Sequence, residues 1–331
     1  MKSYSLIIKK NQLAALLAWL MLAITILLIF PSGFRGDVGP DSHTYRVMYE
    51  QAEMNLSYLH FSGAYGFEPA SSIFMAAIKR LGFSYEGLQL ILSILSVFAL
   101  LVIFLKVKPI NFVIFTLMYL CFAYYQFQWS VIRNNMAFWT FSVSYVLFQR
   151  VNISALASSI FHYSFALSFL RVRAAYFAFG GVCVLFLLLW YILKYRTLSH
   201  NLLYSFFFGG WGRLLYHLFL ALLFLKLLGF LNLNLSCMSG LSCKLKREPI
   251  IMLFVAIFFV GMLFPLGWRL VAVAIPFLLL VDFSFMSMRR FIMYFLFSVI
   301  IFFQKSYSFF VSESLSHDYP VISFLRDFYF Y

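Results

Sequence analysis

The sequence predicts an all-α, polytopic membrane protein with about ten or eleven transmembrane helices. Of its 331 residues, 64% are apolar and only 11% are charged. Apolar runs of about twenty residues recur along the chain, and each is long enough to cross a hydrocarbon core of about 30 Å. Lysine and arginine fall in the short loops between these runs, as the positive-inside rule expects of cytoplasmic loops.

The first span is predicted at residues 11–30. Lys2, Lys9 and Lys10 precede it and place the N-terminus in the cytoplasm. The apolar run is long for the hydrophobic region of a signal peptide, and no clear small-x-small cleavage site follows it. We therefore interpret it as a retained signal anchor that delivers residues 31–66 to the outer face.

The remaining spans follow from the apolar runs and the loop charges together. We predict them near 86–105, 110–128, 133–149, 152–169, 174–193, 198–210 (a short one), 212–231, 249–266, 268–285 and 290–306. The predicted inner loops then hold Lys106 and Lys108, Arg150, Lys194 and Arg196, Lys244, Lys246 and Arg247, and Arg289 and Arg290. This distribution supports the orientation.

Residues 68–82 are helical in character but short for a span. If they stay on the outer face as a re-entrant or interfacial helix, the later basic loops fall inside; if they cross, several of those loops fall outside. We expect the first arrangement. The chain then forms one integral membrane domain, 1–331, with an outer polar loop and short helix at 31–85 and a short outer tail at 307–331.

Charge and cysteine content exclude two classes of function. The net charge of +14 lies mostly in the short loops, where it sets topology, so a nucleic-acid-binding role is rejected. The four cysteines form no CxxC pair and have no histidine nearby at ligand spacing, so no structural metal is implied. No Walker loop, GxSxG or HExxH motif occurs either.

The polar segment Arg35–Tyr45 follows the first span and carries two carboxylates, Asp37 and Asp41. Ionisable groups clustered beside a span usually mark a site. Asp41, Tyr45 and Tyr49 are spaced four residues apart, so a helix would place them on one stripe. The alternative for Asp41 is a plain N-terminal helix charge.

Other polar residues are predicted at the same outer side. They are Glu68, Arg133 with Asn134 and Asn135, His162, Arg171, Arg173 and Arg269. The alternatives are that Arg133 and Arg269 snorkel to the interface and that His162 is a packing histidine. Several arginines with few carboxylates on one face indicate a multiply anionic ligand, because the guanidinium fork donates paired hydrogen bonds to phosphate.

These elements resemble those of the EpsG-type polysaccharide polymerases, which are related to the O-antigen and capsule polymerases called Wzy. RGDVGPDSHTYRVMYE resembles the family's R-x-x-x-G-x-D-x-x-x-Y-x-x-x-[YF] element, and Glu68-Pro69 resembles its E-P element. IRNNMA at 132–137, FHYS at 161–164 and Trp268-Arg269 resemble later elements in the same order. The match covers residues 31–170; Asn134-Asn135 departs from a pattern in which glutamine comes first.

The resemblance implies a GT-C-like, metal-independent glycosyltransferase of the bacterial inner membrane that needs no cofactor. Its donor and acceptor would be undecaprenyl-diphosphate-linked oligosaccharides, joined at the outer face to make O-antigen, capsule or exopolysaccharide. Arg133 and Arg269 would hold the diphosphate, with Arg35 a third candidate. Asp41 is the first candidate for the base, and Asp37 and His162 are the alternatives. Tyr45 and Glu68 would position sugar hydroxyls, with Asn134, Arg171 and Arg173 as further substrate-binding candidates.

An alternative function predicts different sequence features. A lipid-linked oligosaccharide flippase, the main alternative, would line a path through both leaflets and often shows repeat symmetry. The predicted charges lie at one face, and no internal repeat is visible. A chain-length regulator and a flippase are expected as partners of a polymerase.

Overall fold

We describe the chain from a computed structural model, which covers residues 2–39, 41–52, 69–129, 131–162, 164–165, 210–228, 273–281, 283 and 286–316. Every regular element within these residues is helical. The α-helices are α1 (Lys2–Ile29), α2 (Ser42–Gln51), α3 (Pro69–Arg80), α4 (Tyr85–Lys106), α5 (Pro109–Phe122), α6 (Ile132–Phe148), α7 (Val151–Ser159), α8 (Gly210–Leu227) and α9 (Met288–Ser316). Two 3₁₀-helices (Phe30–Phe34 and Ile275–Leu280) and a π-helix (Tyr124–Gln128) complete the set.

The chain divides into two compact units. The first comprises Met1–Phe169 with Phe295–Tyr331, and the second comprises Leu170–Tyr294. In the first unit the Cys121 thiol donates to the carbonyl of Ser298 at 3.2 Å, which ties α5 to α9. In the second unit the rings of Phe224 and Tyr294 meet edge to face, 5.9 Å apart.

Among the residues that the structure describes, two segments are long and apolar enough to cross a membrane, Asn11–Phe34 and Tyr85–Lys106. At about 1.5 Å per residue each exceeds the thickness of about 30 Å of a hydrocarbon core. Both expose large apolar side chains, including Trp19 (63% exposed), Phe98 (65%) and Leu105 (76%). Exposed apolar faces of this kind are suited to contact with lipid. A third apolar helix, α5, is shorter and has 14 residues.

The two short helices that the sequence indicates after the first span are both present. Helix α2 buries Tyr45 and Tyr49, each 3% exposed, so the stripe inferred from their spacing is confirmed. Helix α3 has 12 residues and is about 18 Å long, which is too short to cross a membrane. The amide of Ala70 at its start donates to the carbonyl of Ile160 at 3.1 Å, which joins α3 to the end of α7.

The prediction of one continuous span at 152–169 is wrong, because α7 ends at Ser159. The amides of Phe161 and His162 both donate to the carbonyl of Ser158, and the amide of Ser164 donates to the His162 ring. A side chain that accepts a nearby backbone hydrogen bond competes with helix formation, and here it closes a turn instead.

Other boundaries differ less. Helix α5 gives way at Phe122 to the π-helix, so the span predicted at 110–128 is not one α-helix. Helix α9 continues to Ser316, ten residues beyond the predicted span end at 306 and into the predicted tail. The predicted span at 268–285 contains a 3₁₀-helix that begins beside Pro276, whose missing amide cannot extend an α-helix. The spans predicted at 174–193 and 249–266 lie outside the described residues, as does the span at 198–210 except for its last residue, which begins α8.

Candidate functional site

The hydroxyl of Tyr45 and the guanidinium of Arg133 meet, although 88 residues separate them in the chain. Arg133 Nε donates to Tyr45 Oη at 3.2 Å, and its Cζ lies 5.8 Å from the centre of the Tyr45 ring. Burial raises the pKa of the Tyr45 phenol, an effect that the Arg133 charge opposes. The phenol is therefore neutral at physiological pH and presents an oxygen to Arg133.

Asp41 completes a small polar group with these two residues, which we call the Arg133 site (Asp41, Tyr45 and Arg133). It occupies the N-cap position of α2 and is half-buried, but its side chain makes no capping hydrogen bond to the helix. Its negative charge acts on the Tyr45 phenol and raises the pKa of that group further. The starts of α2 and α6 thus place a carboxylate and a guanidinium around the same phenol.

Hydrophobic packing holds these elements in place. Tyr45 and Tyr49 of α2 belong to one buried cluster with residues from the start of α6 and from α3 and α4. The other members of the cluster are Met75, Ile78, Tyr85, Leu88, Leu92, Val131, Ile132 and Met136. Phe161 also packs against it, which brings the residue beside His162 to the same cluster. Segments far apart in sequence therefore converge behind the Arg133 site.

His162 is buried (3% exposed), and its ring has a defined tautomer. Its Nδ1 accepts the backbone N–H of Ser164 at 3.1 Å and lies 2.8 Å from the Ser164 hydroxyl. An Nδ1 that accepts from an amide carries no proton, so the neutral ring carries its proton on Nε2. His162 can consequently donate a hydrogen bond through Nε2, but this tautomer does not accept a proton there.

Asp37 is engaged in an ion pair. Arg46 Nε lies 2.6 Å from its carboxylate, and Arg46 Nη2 lies 2.6 Å from Glu86. The guanidinium also lies 4.8 Å from the centre of the Tyr85 ring. The hydrogen bond to Asp37 raises the pKa of Arg46 above its ordinary value. Arg46 thereby connects the polar segment to α2 and to the start of α4.

Arg35 is almost fully buried, with 4% of its surface exposed. Its Nη1 donates to the carbonyl of Gln128, and no carboxylate in the described part of the chain pairs with it. Burial lowers the pKa of this guanidinium below its ordinary value, and neighbouring Tyr85 opposes the shift. Arg35 therefore contacts the π-helix rather than an open surface.

The two asparagines after Arg133 also point into the protein. Asn135 Nδ2 donates to Ser96 Oγ of α4 at 3.3 Å. Asn134 is completely buried, and its amide has no hydrogen-bond partner among the described residues. Of the residues predicted at 133–135, Arg133 is the one that lies half-exposed at the site.

Four predicted site residues, Glu68, Arg171, Arg173 and Arg269, lie outside the described residues. In the part of the chain that the structure covers, no group of three histidine, cysteine, aspartate or glutamate side chains is arranged to hold a metal ion.

Sequence reasoning missed two residues that organise the site, Gln128 and Arg46. The signal for Gln128 was its position in an apolar run, because an amide in a span needs a partner and usually has a role. Arg46 gave no such signal, since Glu86 is 40 residues away.

Comparison with known proteins identifies a family but no individual relative. The model of the EpsG family matches residues 18–318, which is nearly the whole chain. No curated protein and no solved structure matches it.

Proposed function

The chain belongs to the EpsG family, a family of Wzy-type polysaccharide polymerases, and we propose that it joins saccharide units carried on undecaprenyl diphosphate at the outer face of the bacterial cytoplasmic membrane. The family and the apolar helices identify a membrane protein with a polymerase role. The product would be O-antigen, capsule or exopolysaccharide, and a flippase and a chain-length regulator are the expected partners.

The Arg133 site carries this proposal. A half-exposed guanidinium stands beside a half-buried carboxylate and a neutral phenol, on two helix starts that a common hydrophobic cluster supports. A glycosyl transfer from a lipid diphosphate requires a cation for the leaving group and a base for the attacking hydroxyl. Arg133 and Asp41 supply these two groups at one place.

In the proposed reaction, a sugar hydroxyl of the acceptor attacks the anomeric carbon of the donor. The new glycosidic C–O bond forms as the bond between the anomeric carbon and the diphosphate oxygen breaks. Undecaprenyl diphosphate leaves with the electron pair, and the hydroxyl proton passes to the Asp41 carboxylate. A single displacement of this kind inverts the anomeric configuration.

Arginine accelerates the step because the diphosphate gains negative charge as the bond breaks. A guanidinium aimed at that oxygen stabilises the transition state more than the bound substrate, which lowers the barrier. We assign this role to Arg133, together with Arg269. The positive charge of arginine serves the leaving group, and the proposal assigns no metal or cofactor.

Among the three candidate bases, the contacts of Asp37 and His162 favour Asp41. The carboxylate of Asp37 already pairs with Arg46 at 2.6 Å. His162 accepts the Ser164 amide at Nδ1 and carries its proton on Nε2, so it is placed to donate rather than to accept. Tyr45 and Glu68 are proposed to orient sugar hydroxyls, with Arg171 and Arg173 as further contacts to the substrate.

The proposal is tested by complementation of a host from which this gene has been deleted. Arg133→Ala and Asp41→Asn are expressed beside the matched controls Arg150→Ala and Glu50→Gln, whose side chains are exposed. Surface glycan is displayed on a gel, and membrane expression is measured for each variant. We expect the two site variants to lose the polymer ladder while single repeat units still reach the surface, and both controls to keep it.

Two other results would contradict the proposal. A full ladder from both site variants would remove the Arg133 site from the reaction. Loss of surface single units as well as polymer, from normally expressed protein, would instead favour the flippase interpretation.

A further inference from the structure

The loop before α2 rests on the π-helix that precedes α6. Arg35 Nη1 donates to the carbonyl of Gln128, the last residue of the π-helix. Four residues later, Gly39 (φ +115°) lies against the carbonyl of the next residue, Trp129, and a Cβ on Gly39 would collide with that oxygen. The loop therefore packs against two consecutive carbonyls: the Arg35 side chain donates to the first, and the absence of a Cβ on Gly39 leaves room for the second.

The Gln128 side chain fixes the π-helix from beneath. It is 3% exposed, and its Nε2 donates to Ser32 Oγ at 2.9 Å and lies 3.4 Å from Ser93 Oγ. Its Oε1 accepts the Tyr119 hydroxyl at 3.2 Å. The side-chain amide therefore has partners on the end of the first span, on α4 and on α5. Buried amides satisfied in this way define one arrangement of their neighbours.

The position of this contact in the chain gives it a consequence. The docked loop leads directly into Asp41 and Tyr45, and the π-helix leads within a few residues to Arg133. A π-helix replaces the regular hydrogen-bond ladder by a wider turn and occurs frequently at functional sites. Here it determines where α6 begins relative to the loop that carries the carboxylate.

We propose that the π-helix Tyr124–Gln128 is a docking platform, and that Arg35 and Gln128 are positioning residues that hold Asp41 and Tyr45 opposite Arg133. This inference rests on the proposed function, because it concerns the geometry of the same site. It gives Arg35 a task different from binding the diphosphate directly. Misplacing a catalytic group by about 1 Å can cost about a hundredfold in rate, so a platform of this kind affects turnover strongly.

Two matched pairs of variants test the platform. Gly39→Ala is compared with Gly36→Ala: both glycines have positive φ, but a Cβ on Gly36 meets nothing within 4 Å. Gln128→Leu, which keeps much of the side-chain volume, is compared with Gln12→Leu, whose side chain is exposed on α1. The first member of each pair breaks the platform and the second does not.

The first measurement reports position without activity. Spin labels are attached at His43→Cys in α2 and at Arg150→Cys beyond the end of α6, both exposed, in a chain whose native cysteines are replaced. Double electron–electron resonance then gives the distribution of distances between the two labels in detergent-purified protein. We expect Gly39→Ala, Gln128→Leu and Arg35→Met to broaden or shift this distribution, and the two controls to reproduce that of the unmodified chain.

The second measurement is turnover of the lipid-linked repeat unit that accumulates in membranes of the gene-deleted host. We expect Gln128→Leu and Arg35→Met to reduce kcat about tenfold or more with little change in KM, because they act on alignment. If Arg35 instead binds the diphosphate, Arg35→Met raises KM and leaves the distances unchanged, which overturns the proposal.

An unchanged distance distribution and turnover in Gln128→Leu would also overturn the platform, even if Gly39→Ala fails to fold. Failure of the proposed function is distinguishable, since it appears as full activity of Arg133→Ala and Asp41→Asn whatever the platform variants do.

Discussion

At the scale of single residues, the contact between Arg133 and Tyr45 is the central observation. A buried phenol on one helix accepts from a half-exposed guanidinium on another. The hydrogen bond orients the guanidinium and leaves its remaining N–H groups to other acceptors, because arginine has five donors. Arg133 is thus held in place by a neutral group that does not cancel its charge.

Replacing Tyr45 by phenylalanine should separate orientation from packing. The ring remains in the cluster, but Arg133 loses the phenol oxygen as an acceptor. Hydrogen bonds to charged groups contribute about 1.5–3 kcal/mol, so turnover should fall about tenfold or more. Membrane-extracted Tyr45→Phe should stay folded and unfold only a few degrees below the unmodified chain, measured by fluorescence-detected melting. Unchanged turnover would show that the phenol oxygen does not orient Arg133.

Two replacements of His162 distinguish donation through Nε2 from general-base catalysis. The amide nitrogen of glutamine reaches approximately the place of Nε2, whereas asparagine reaches only the place of Nδ1. Since Nε2 carries the proton in the folded chain, His162→Gln should retain much more polymer ladder than His162→Asn. The measurement is the same complementation gel, normalised to membrane expression. Equal loss in both variants would contradict the donor role.

At the scale of elements, the end of α6 carries a conformational cost. Gln149 has a φ of +53° and is the one non-glycine residue with positive φ among those that the structure describes. It follows Phe148 and caps the helix in the left-handed conformation, where glycine is favoured because it has no Cβ. The helix that positions Arg133 therefore ends at a strained residue.

Gln149→Gly should stabilise the protein by about 1 kcal/mol. The midpoint of thermal unfolding in detergent should rise, and polymer formation should not change because residue 149 is exposed and far along α6 from Arg133. Gln149→Ala serves as the control, since it removes the side chain but keeps the strain. Equal midpoints for the glycine and alanine variants would show that the strain is not released.

At the scale of the whole molecule, orientation in the membrane remains a prediction from the loop charges, and labelling can test it. In a cysteine-free background, single cysteines are placed at the exposed positions His43, Arg80 and Lys108. A membrane-impermeant maleimide added to intact cells should label residues 43 and 80, whereas residue 108 should need permeabilisation.

The reason is geometric. Helix α4 joins residue 80 to residue 108 and is long enough to cross, but α3 is not. Labelling of residue 80 only after permeabilisation, with residue 43 labelled outside, would show that the segment between them crosses. Labelling of residue 108 in intact cells would invert the predicted orientation of α4.

Much of the architecture follows from sequence alone, because the constraints are local. A bilayer requires runs of about twenty apolar residues and backbone hydrogen bonds satisfied within each segment, so α1 and α4 are visible in the hydropathy. The spacing of Tyr45 and Tyr49 likewise reflects one helix face. The elements at 35–45, 132–137 and 161–164 are short, ordered motifs, and they indicate the polymerase family without any knowledge of how the chain folds.

The contacts between distant segments, in contrast, are visible only in the three-dimensional structure. Local sequence patterns do not show that Arg133 donates a hydrogen bond to Tyr45. The same holds for the hydrogen bond from Arg35 to the Gln128 carbonyl and for the ion pair between Arg46 and Asp37. The turn that ends α7 was not predicted, because a hydropathy pattern does not show that the His162 side chain accepts a backbone hydrogen bond. Composition determines which segments enter a membrane, whereas the choice of partner for each buried polar group depends on packing in three dimensions.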